Sequence, residues 1–464
     1  MKYYNFKNLF TIVFYLLLVL TFSTCQEDDS DDIDSLDILD KIRSLNGVSV
    51  TETQPKNEYS RAFIIDITQP VDHNNPDGAT FTQRVYLNHV NESMPMVFAP
   101  NGYQSTTNST QEIEALLQTN SLHVTHRYFN DSRPNPLDWQ YLTIKQSADD
   151  HHAIVSLFKK IYKGKWISSG VSKSGITCLF HRRYYPDDVD ATIAYVAPFT
   201  FGVKDLRYPE YLSHIGSEGC FAKLQAVQIY VLKHKPEILN LISNTQQSDS
   251  YTYSMDRDLL LELIIMDYPF VFWQYSNYSC ESIPDTATSN VEAIYAHYTR
   301  IVPISACSNE NLSYFEPYTY QAITELGAPA YQTDYLKPYL TEVDPDATGN
   351  PNYELVAPTG VSYSFTSSTV PEIYSWLQNE GDRIIYIYGK NDPWSAGAIE
   401  LTGAADAIFV MQDGANHRVK IADLDNPEIV YNALENWLGI DIPSTKNGKK
   451  STDVDEQKHF RLDS

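Results

Sequence analysis

The sequence predicts an α/β fold in which a mostly parallel sheet is interrupted by a long, mainly helical insertion. Short apolar runs such as 95–100 and 191–196 alternate with helix-compatible segments up to about residue 200, and the alternation resumes at 383. Strands covered on both faces read as nearly continuous apolar runs, and their alternation with helices is typical of parallel sheets. Between 201 and 374 the pattern is helical and aromatic, without a clear buried strand.

The individual elements follow from hydrophobic periodicity. Alternating apolar residues in 63–67 and 81–87 predict two antiparallel strands joined by a turn. Apolar residues at helical spacing predict an amphipathic helix within 138–162. The other predicted elements are a strand at 95–100, a helix near 112–118, a strand at 122–129, a strand ending at Gly170 with a helix after it, strands at 191–196, 383–388 and 407–411, and a closing helix at 428–438.

The N-terminus has the pattern of an export signal. Lys2 and Lys7 precede the apolar run 9–22, and small residues follow it, which is typical of a secretory signal peptide. Cys25 comes directly after those small residues, as the lipidated cysteine of a bacterial lipobox does. The acidic run 26–34 favours a solvated linker. We therefore expect an exported protein, either a lipoprotein of the cell envelope or surface or a freely secreted one.

These patterns divide the chain into six segments. The predicted segments are a signal peptide at 1–24, a lipid-anchored acidic linker at 25–55, the first part of the α/β core at 56–200, a helical cap at 201–374, the second part of the core at 375–442, and a polar tail at 443–464.

Composition narrows the possible partners. The chain is globular, with 42% hydrophobic and 13% aromatic residues, and carries a formal net charge of −25. A field of that sign repels phosphate backbones and anionic lipid. We therefore expect no nucleic-acid partner, and membrane attachment only through lipidated Cys25. The oligomeric state is left open.

The cysteines and histidines do not indicate a metal site or a cofactor. Cys178, Cys220, Cys280 and Cys307 are widely and irregularly spaced, unlike zinc ligands. In an exported chain they allow one or two disulfides, and the sequence does not choose among the three pairings. The acidic and histidine cluster Asp149–His152 is predicted to be a solvated helix face, because adjacent helical residues point in different directions.

A candidate nucleophile lies between the strand ending at Gly170 and the following helix. Gly170-Val171-Ser172-Lys173-Ser174 resembles the G-x-S-x-G nucleophile elbow, a sharp strand-to-helix turn that exposes the serine. Small flanking residues are needed because the helix packs close to the strand. Ser174 stands where the second glycine is expected, and it is small enough to keep the turn possible.

Two downstream residues complete a candidate catalytic triad. Ser172, Asp392 and His417 occur in the order nucleophile, acid, histidine, as in α/β-hydrolases, and each follows a predicted strand. All three therefore belong at the carboxyl edge of one sheet. His417 would take the serine proton, and Asp392 would orient and stabilise the imidazolium. The sequence predicts a serine hydrolase with an α/β-hydrolase fold.

The oxyanion hole is assigned to two loops. The Lys173 backbone amide follows the nucleophile and is predicted to supply one donor. The second donor is expected from Gly102 or Tyr103, after the strand at 95–100. A backbone amide of this loop and the Tyr103 hydroxyl both remain open.

Several phrases of the sequence resemble one family. They are Gln69–Pro76, His126–Phe129, Asp149–His152, Gly164–Ser168 and Tyr185–Asp190, and they resemble the secreted tripeptidyl aminopeptidase family of serine peptidases from about Phe63 to Trp437. More remotely, the chain is similar to prolyl carboxypeptidase. The resemblance implies an α/β-hydrolase with a helical cap that removes short pieces, often ending in proline, from the free N-termini of peptides.

The resemblance also implies substrate-binding residues. Trp394 would form a wall of the pocket for the residue before the cleaved bond, since an indole stacks well on a proline ring. Where the family has Glu-Gly-Tyr, this chain has Asn101-Gly102-Tyr103, so Asn101 replaces an acid on the substrate-binding side. A peptide ammonium group needs a carboxylate partner, so Glu218, or Glu210, is expected to replace it.

Two alternatives of other classes are kept. One is a peptide- or glycan-binding surface lipoprotein that has the fold without turnover. The other is an esterase or amidase on the same fold.

Overall fold

The computed structural model describes residues 35–56, 59–106, 110–275 and 277–442. The predicted signal peptide, Cys25 and the polar tail at 443–464 lie outside these residues. The described part of the segment that ends at Asn46 contains one short helix, α1, at Ile38–Arg43. The segment from Gly47 onwards contains the sheet and the remaining helices.

The strands of the sheet agree closely with the predicted apolar runs. Their bounds are β1 Val48–Thr53, β2 Arg61–Pro70, β3 Thr80–His89, β4 Met96–Pro100, β5 Asn120–Val124, β6 Trp166–Val171, β7 Ala191–Tyr195, β8 Ile384–Gly389 and β9 Ala407–Gln412.

These nine strands pair in the order β1-β2-β3-β5-β4-β6-β7-β8-β9. Strands β4 to β9 all run parallel to one another. Strand β3 is antiparallel to β5, and β1, β2 and β3 pair in antiparallel fashion. The predicted mostly parallel sheet and the predicted antiparallel pair are confirmed. Because β4, β6 and β7 are parallel neighbours, the loops that follow them meet at one edge.

Helices cover both faces of the sheet and fill the insertion between β7 and β8. Their bounds are α2 Glu112–Leu117, α3 Ile144–Phe158, α4 Lys173–Tyr184, α5 Arg207–Leu212, α6 Cys220–Lys233, α7 Lys235–Ser248, α8 Arg257–Tyr275, α9 Val291–Ile301, α10 Asn309–Gln321, α11 Pro351–Glu354, α12 Thr369–Glu380 and α13 Glu428–Leu438. None of these helices is both long enough and apolar enough to span a membrane.

Two apolar clusters hold the α/β layers together. On one face, α2 and α13 pack on Ile167, Ile193 and Ile385 of the central strands. On the other face, α4 and α12 pack on Ile384 and Tyr386 of β8. Continuous apolar strands are therefore buried on both sides, as the sequence predicted.

The insertion has a core of its own, formed mainly by the helices from α5 to α9. A disulfide joins Cys220, at the start of α6, to Cys280, whereas Cys178 and Cys307 are free and buried. Of the pairings that the sequence left open, one bond is present. The predicted cap boundary between 374 and 375 falls inside α12, whose apolar face packs on the sheet, so this helix belongs to the α/β core.

The predicted linker at 25–55 is too long at its C-terminal end. Strand β1 at Val48–Thr53 pairs along its whole length with β2 and extends the sheet. The alternation of half-buried Val48 and Val50 with exposed neighbours is an edge-strand pattern that the nearby acidic run obscured.

The prediction for Asp149–His152 is also wrong. Asp150 and His151 are buried on α3, and only the outer residues of the cluster reach solvent. Asp150 accepts two hydrogen bonds from the Arg127 guanidinium, at 2.7 and 2.8 Å, and lies 2.7 Å from His73 Nε2. The cluster contributes to an internal ion pair that the spacing along one helix could not reveal.

Candidate active site

The backbone at Ser172 has the conformation of a nucleophile elbow. Ser172 has φ +57° and ψ −125° between the end of β6 and the start of α4, and its amide donates to the Tyr195 carbonyl at 2.8 Å. Positive φ at a residue other than glycine is strained and is retained where the surrounding structure enforces it. The turn presents the Ser172 side chain at the carboxyl edge of the sheet.

The flanking glycines explain how the elbow tolerates Ser174. A Cβ at Gly170 would lie 2.5 Å from the Ser174 carbonyl, and a Cβ at Gly175 would lie 2.9 Å from the Ala197 Cβ. The close approach between strand and helix therefore needs glycine at 170 and 175 rather than at 174. The Ser174 hydroxyl instead accepts a hydrogen bond from the Gly102 amide, at 3.0 Å.

The predicted acid and histidine lie together in the structure. Asp392 is fully buried in the loop after β8, and its Oδ2 lies 2.6 Å from His417 Nδ1. The other Asp392 oxygen accepts from the Trp394 amide at 3.0 Å. The His417 amide donates to the Gln274 carbonyl at the end of α8. These contacts fix the carboxylate and hold the imidazole ring from both sides of the site.

The two ring nitrogens of His417 differ in their hydrogen bonding, since Nδ1 contacts Asp392 and Nε2 does not. His417 Nε2 is buried and has no hydrogen-bond partner in the described part of the chain. The structure thus forms the acid–histidine contact, but the hydrogen bond from Ser172 to His417 is not made. Catalytic hydrogen bonds of this kind are often long before substrate binds and tighten in the reacting complex.

The three residues predicted to supply oxyanion donors, Lys173, Gly102 and Tyr103, differ in their hydrogen bonding and packing. Lys173 is the first residue of α4, so its amide has no acceptor within the helix. The Gly102 amide is engaged by Ser174, which corrects the prediction that Gly102 donates to an oxyanion. The Tyr103 ring is packed edge-on against Phe129 and Phe315, at 5.5 and 5.8 Å between ring centroids.

A cavity lies between the elbow and the insertion, and both Ser172 and Trp394 line it. The Trp394 indole is held edge-on by Tyr208 and Phe270, at 5.6 and 5.1 Å between ring centroids. The aromatic residues that line the cavity are Tyr103, Phe270, Tyr275, Phe315, Tyr318, Tyr331, Tyr353 and Trp394. Such a surface suits a ligand with both apolar and polar groups.

One carboxylate faces this cavity, and the sequence reasoning missed it. Asp267 of α8 accepts a hydrogen bond from Asn352 Nδ2 at 3.1 Å and is hydrogen-bonded to Tyr331. Burial raises the pKa of Asp267 to about 6, against the smaller opposing effect of these neutral partners. Within the described ranges, no lysine, arginine or histidine forms an ion pair with it.

The acids predicted for this role lie elsewhere. Glu218 is exposed, as is Glu210, and neither lines the cavity. The Asn101 side chain donates to Ser105 Oγ and to the Ala99 carbonyl within its own loop, and it does not line the cavity either. These assignments are wrong because the exposed loop before α6 and the Asn101 amide are both turned away from the substrate side.

A sequence signal for Asp267 existed. The stretch LLLELIIMDYPFVFWQY, residues 259–275 of α8, contains two acids, Glu262 and Asp267, in an otherwise mostly apolar run. A buried acid needs a partner or a function. The Glu262 carboxylate accepts from the amides of 341–343 and from Lys235, which makes it structural. Asp267 is the one of the two that points into the cavity.

The arrangement contains no metal centre in the ranges that the structure describes. No group of three or more His, Cys, Asp or Glu side chains there is placed to hold an ion. The groups that the structure gathers at this site are a serine on a strained turn, an imidazole paired with a buried carboxylate, and a helix N-terminus beside the serine.

The fold and this site define a serine hydrolase of the α/β class. A family model shows that the chain belongs to the PS-10 peptidase S37 family, with residues 31–449 matched. This confirms the family predicted from the sequence and makes the protein a serine peptidase. Membership disfavours the two alternatives, a binding protein without turnover and an esterase.

One curated relative agrees with that membership. The chain is 32% identical over 421 residues to the prolyl tri/tetrapeptidyl aminopeptidase of Streptomyces mobaraensis, covering 89% of this chain and 87% of the relative. Among solved structures, it is similar to VinJ and to the proline iminopeptidase of Mycobacterium smegmatis. Each is 11% identical with a TM-score of 0.38, and the match covers 81% of this chain and 98% or 97% of the other.

Proposed function

We propose that this protein is an exported serine aminopeptidase that releases tripeptides, preferentially those ending in proline, from free peptide N-termini. Family membership supports peptide hydrolysis, and the relative from Streptomyces mobaraensis is named a prolyl tri/tetrapeptidyl aminopeptidase. The observation that carries recognition of the N-terminus is Asp267, a carboxylate in the same cavity as Ser172 and without a cationic partner in the described residues.

The catalytic steps follow from the geometry of the site. Ser172 Oγ attacks the scissile carbonyl carbon while its proton passes to His417 Nε2, and Asp392 stabilises the imidazolium through Nδ1. The amides of Lys173 and Tyr103 stabilise the oxyanion of the tetrahedral intermediate. His417 then returns the proton to the leaving amine, and water hydrolyses the acyl-enzyme by the same route.

Asp267 is the proposed binding group for the substrate ammonium. A carboxylate facing a largely aromatic cavity is unfavourable to ionise alone, and a substrate cation offsets that penalty. Asn352 and Tyr331 orient its oxygens, leaving lone pairs for the ammonium group. A peptide with a blocked N-terminus supplies no charge here and buries the carboxylate unpaired.

Trp394 is the proposed wall of the proline pocket. Its indole is fixed by two edge-on aromatic contacts and lines the cavity close to the predicted acid Asp392. A rigid flat face packs well on a pyrrolidine ring and loses little side-chain entropy on binding. We expect Trp394→Ala to reduce the preference for proline more than it reduces turnover of other peptides.

The test of N-terminal recognition compares free and Nα-acetylated peptides of one sequence. Wild-type protein is expected to release tripeptides from the free form and to cleave the acetylated form at least about 100-fold more slowly, because one buried charge contact is lost. Asp267→Asn should lose most of this discrimination. Asp258→Asn is the matched control, since Asp258 lies on the same helix but pairs with Lys235 near the surface. Equal cleavage of both forms by wild type would contradict the proposal.

The nucleophile is tested separately. A fluorophosphonate probe should label the wild-type protein and fail to label a folded Ser172→Ala variant, whose peptide cleavage should be lost. Labelling that persists in this variant would show that another residue is the nucleophile.

Export and lipidation are proposed from the N-terminal sequence. We expect the protein to occur in the envelope fraction, with lipid incorporated at Cys25, and Cys25→Ser to release it into the soluble exported fraction. Cytoplasmic retention of the wild-type protein would refute this part of the proposal.

A further inference from the structure

Gly102 is held through both of its backbone groups by side chains of the nucleophile elbow. Its amide donates to Ser174 Oγ at 3.0 Å, and its carbonyl accepts from Lys173 Nζ. Gly102 follows β4 and the elbow follows β6, and these strands are parallel neighbours. Two consecutive residues of α4 therefore reach across one strand spacing to hold the two peptide units that flank the Gly102 Cα.

The contact between this loop and the elbow is tight. A Cβ at Gly102 would lie 2.6 Å from Lys173 Cγ and 2.8 Å from the Lys173 carbonyl carbon. Glycine at 102 lets the loop lie directly on the lysine. The next residue in the loop, Tyr103, places its ring 5.3 Å from Lys173 Nζ, and the Phe129 ring lies 5.4 Å from the same atom.

Lys173 has no ordinary structural reason to be buried. In the described ranges it forms no ion pair with a carboxylate, and its ammonium contacts a carbonyl and two aromatic faces. Burial lowers its pKa to about 7, so keeping an amine here is unfavourable. An apolar side chain would pack in this place at lower cost, which favours a role for the amine in catalysis over a role in stability.

We propose that Lys173 and Ser174 are positioning residues that fix the Asn101–Tyr103 loop, so that the Tyr103 amide and the Lys173 amide form the oxyanion hole. This rests on the proposed Ser172 nucleophile. It accounts for the serine that replaces glycine in the elbow, because position 174 needs a hydroxyl and not the absence of a side chain. The Ser174 bond holds the Asn101–Gly102 peptide, and the Lys173 bond holds the Gly102–Tyr103 peptide. The second of these planar units contains the Tyr103 amide, which therefore keeps its direction.

The consequence for the reaction is specific to the transition state. An oxyanion donor acts on charge that develops after attack, and removing one typically lowers kcat about 100- to 1000-fold. A donor that is merely misdirected should lose part of that effect. Substrate binding through Asp267 and Trp394 involves other elements and should be nearly unchanged.

The experiment measures kcat, KM and the affinity for a peptide boronate transition-state analogue in Ser174→Ala and Lys173→Met. Each variant is expected to lower kcat about 10- to 100-fold and to weaken boronate binding in parallel, with KM changed less than about threefold. The kcat of the double variant should fall little further than that of the more impaired single variant, since both side chains hold the same glycine. Thr177→Val is the matched control on the same helix, because Thr177 donates only to the Lys173 carbonyl.

The outcomes separate this inference from the proposed function. Unchanged kcat and boronate affinity in Ser174→Ala, in a protein that Ser172→Ala inactivates, would overturn the positioning role and leave the nucleophile intact. A rise in KM at constant kcat would overturn it as well. If Lys173→Met does not fold, Ser174→Ala alone decides.

Discussion

Asp150 and Asp267 are two carboxylates enclosed in the same chain, and they differ in whether the protein supplies a cation. Asp150 receives a bidentate contact from Arg127 and a third contact from His73. Burial alone would raise the pKa of Asp150, but the charge and hydrogen bonds of Arg127 and His73 outweigh it and lower the pKa. Asp267 has only neutral partners, Asn352 and Tyr331, and burial raises its pKa.

The presence or absence of a cation from the protein distinguishes a carboxylate buried for structure from one buried for function. Where the acid joins α3 to the loop that carries Arg127, the protein completes the pair itself. Where the acid faces the cavity beside Ser172, the pair is left to be completed by a substrate ammonium. Perturbed carboxylates of the second kind are typical of binding and catalytic sites, where stability is exchanged for function.

The largest change in stability is expected when the Arg127–Asp150 ion pair is broken. Arg127→Met leaves the Asp150 carboxylate buried with only His73, and should lower the free energy of unfolding by about 3–5 kcal/mol. Denaturation in urea at neutral pH measures it. Asp66→Asn is the control, because Asp66 pairs with Arg84 in a partly exposed setting and should change stability by about 1 kcal/mol or less. A loss below about 1 kcal/mol in Arg127→Met would mean that the Arg127–Asp150 pair is not structural.

Removing the charge of Asp267, which has no cationic partner in the described residues, is expected to stabilise the protein rather than destabilise it. A folded pKa of about 6 for Asp267 lies above the ordinary aspartate value, so ionising this group favours the unfolded chain as pH rises towards 6. Asp267→Asn should therefore raise the free energy of unfolding at pH 7.5 by about 1–3 kcal/mol. The gain should shrink as pH falls from 6 and approach zero only below about 4, the ordinary aspartate pKa, where both states come to hold the proton. A destabilised Asp267→Asn protein at pH 7.5 would show that the carboxylate has a partner inside the protein.

The contrast between these two acids also marks what the sequence could predict. Strands, the elbow at Ser172 and the pairing of Asp392 with His417 follow from local pattern and from loops at one sheet edge, and the structure brings those residues close together. The burial of Asp150 depends on Arg127, which is distant in sequence, and adjacent positions of a helix do not reveal which side is covered.

The substrate side of the site was predicted least well, for a related reason. Glu218 and Asn101 were chosen by their position in the chain, but the insertion turns helix α8 so that Asp267 faces the cavity. Ser174 departs from the elbow pattern in the sequence, and its role becomes visible only in the structure, where its hydroxyl accepts a hydrogen bond from the Gly102 amide. Contacts between segments without a shared periodicity need the folded structure.

The smallest effect concerns substrate preference as a function of pH. Below about pH 6 the free enzyme increasingly holds Asp267 protonated, and a neutral carboxyl group no longer attracts the substrate ammonium. The ratio of kcat/KM for free peptides to that for Nα-acetylated peptides should fall up to about tenfold from pH 6 to pH 5. Taking the ratio cancels any effect of pH that acts equally on the cleavage of both substrates. In Asp267→Asn the ratio should be low and independent of pH. A ratio that stays constant in wild type over this range would place the ammonium away from Asp267, and the comparison with Asp150 would then describe two structural acids.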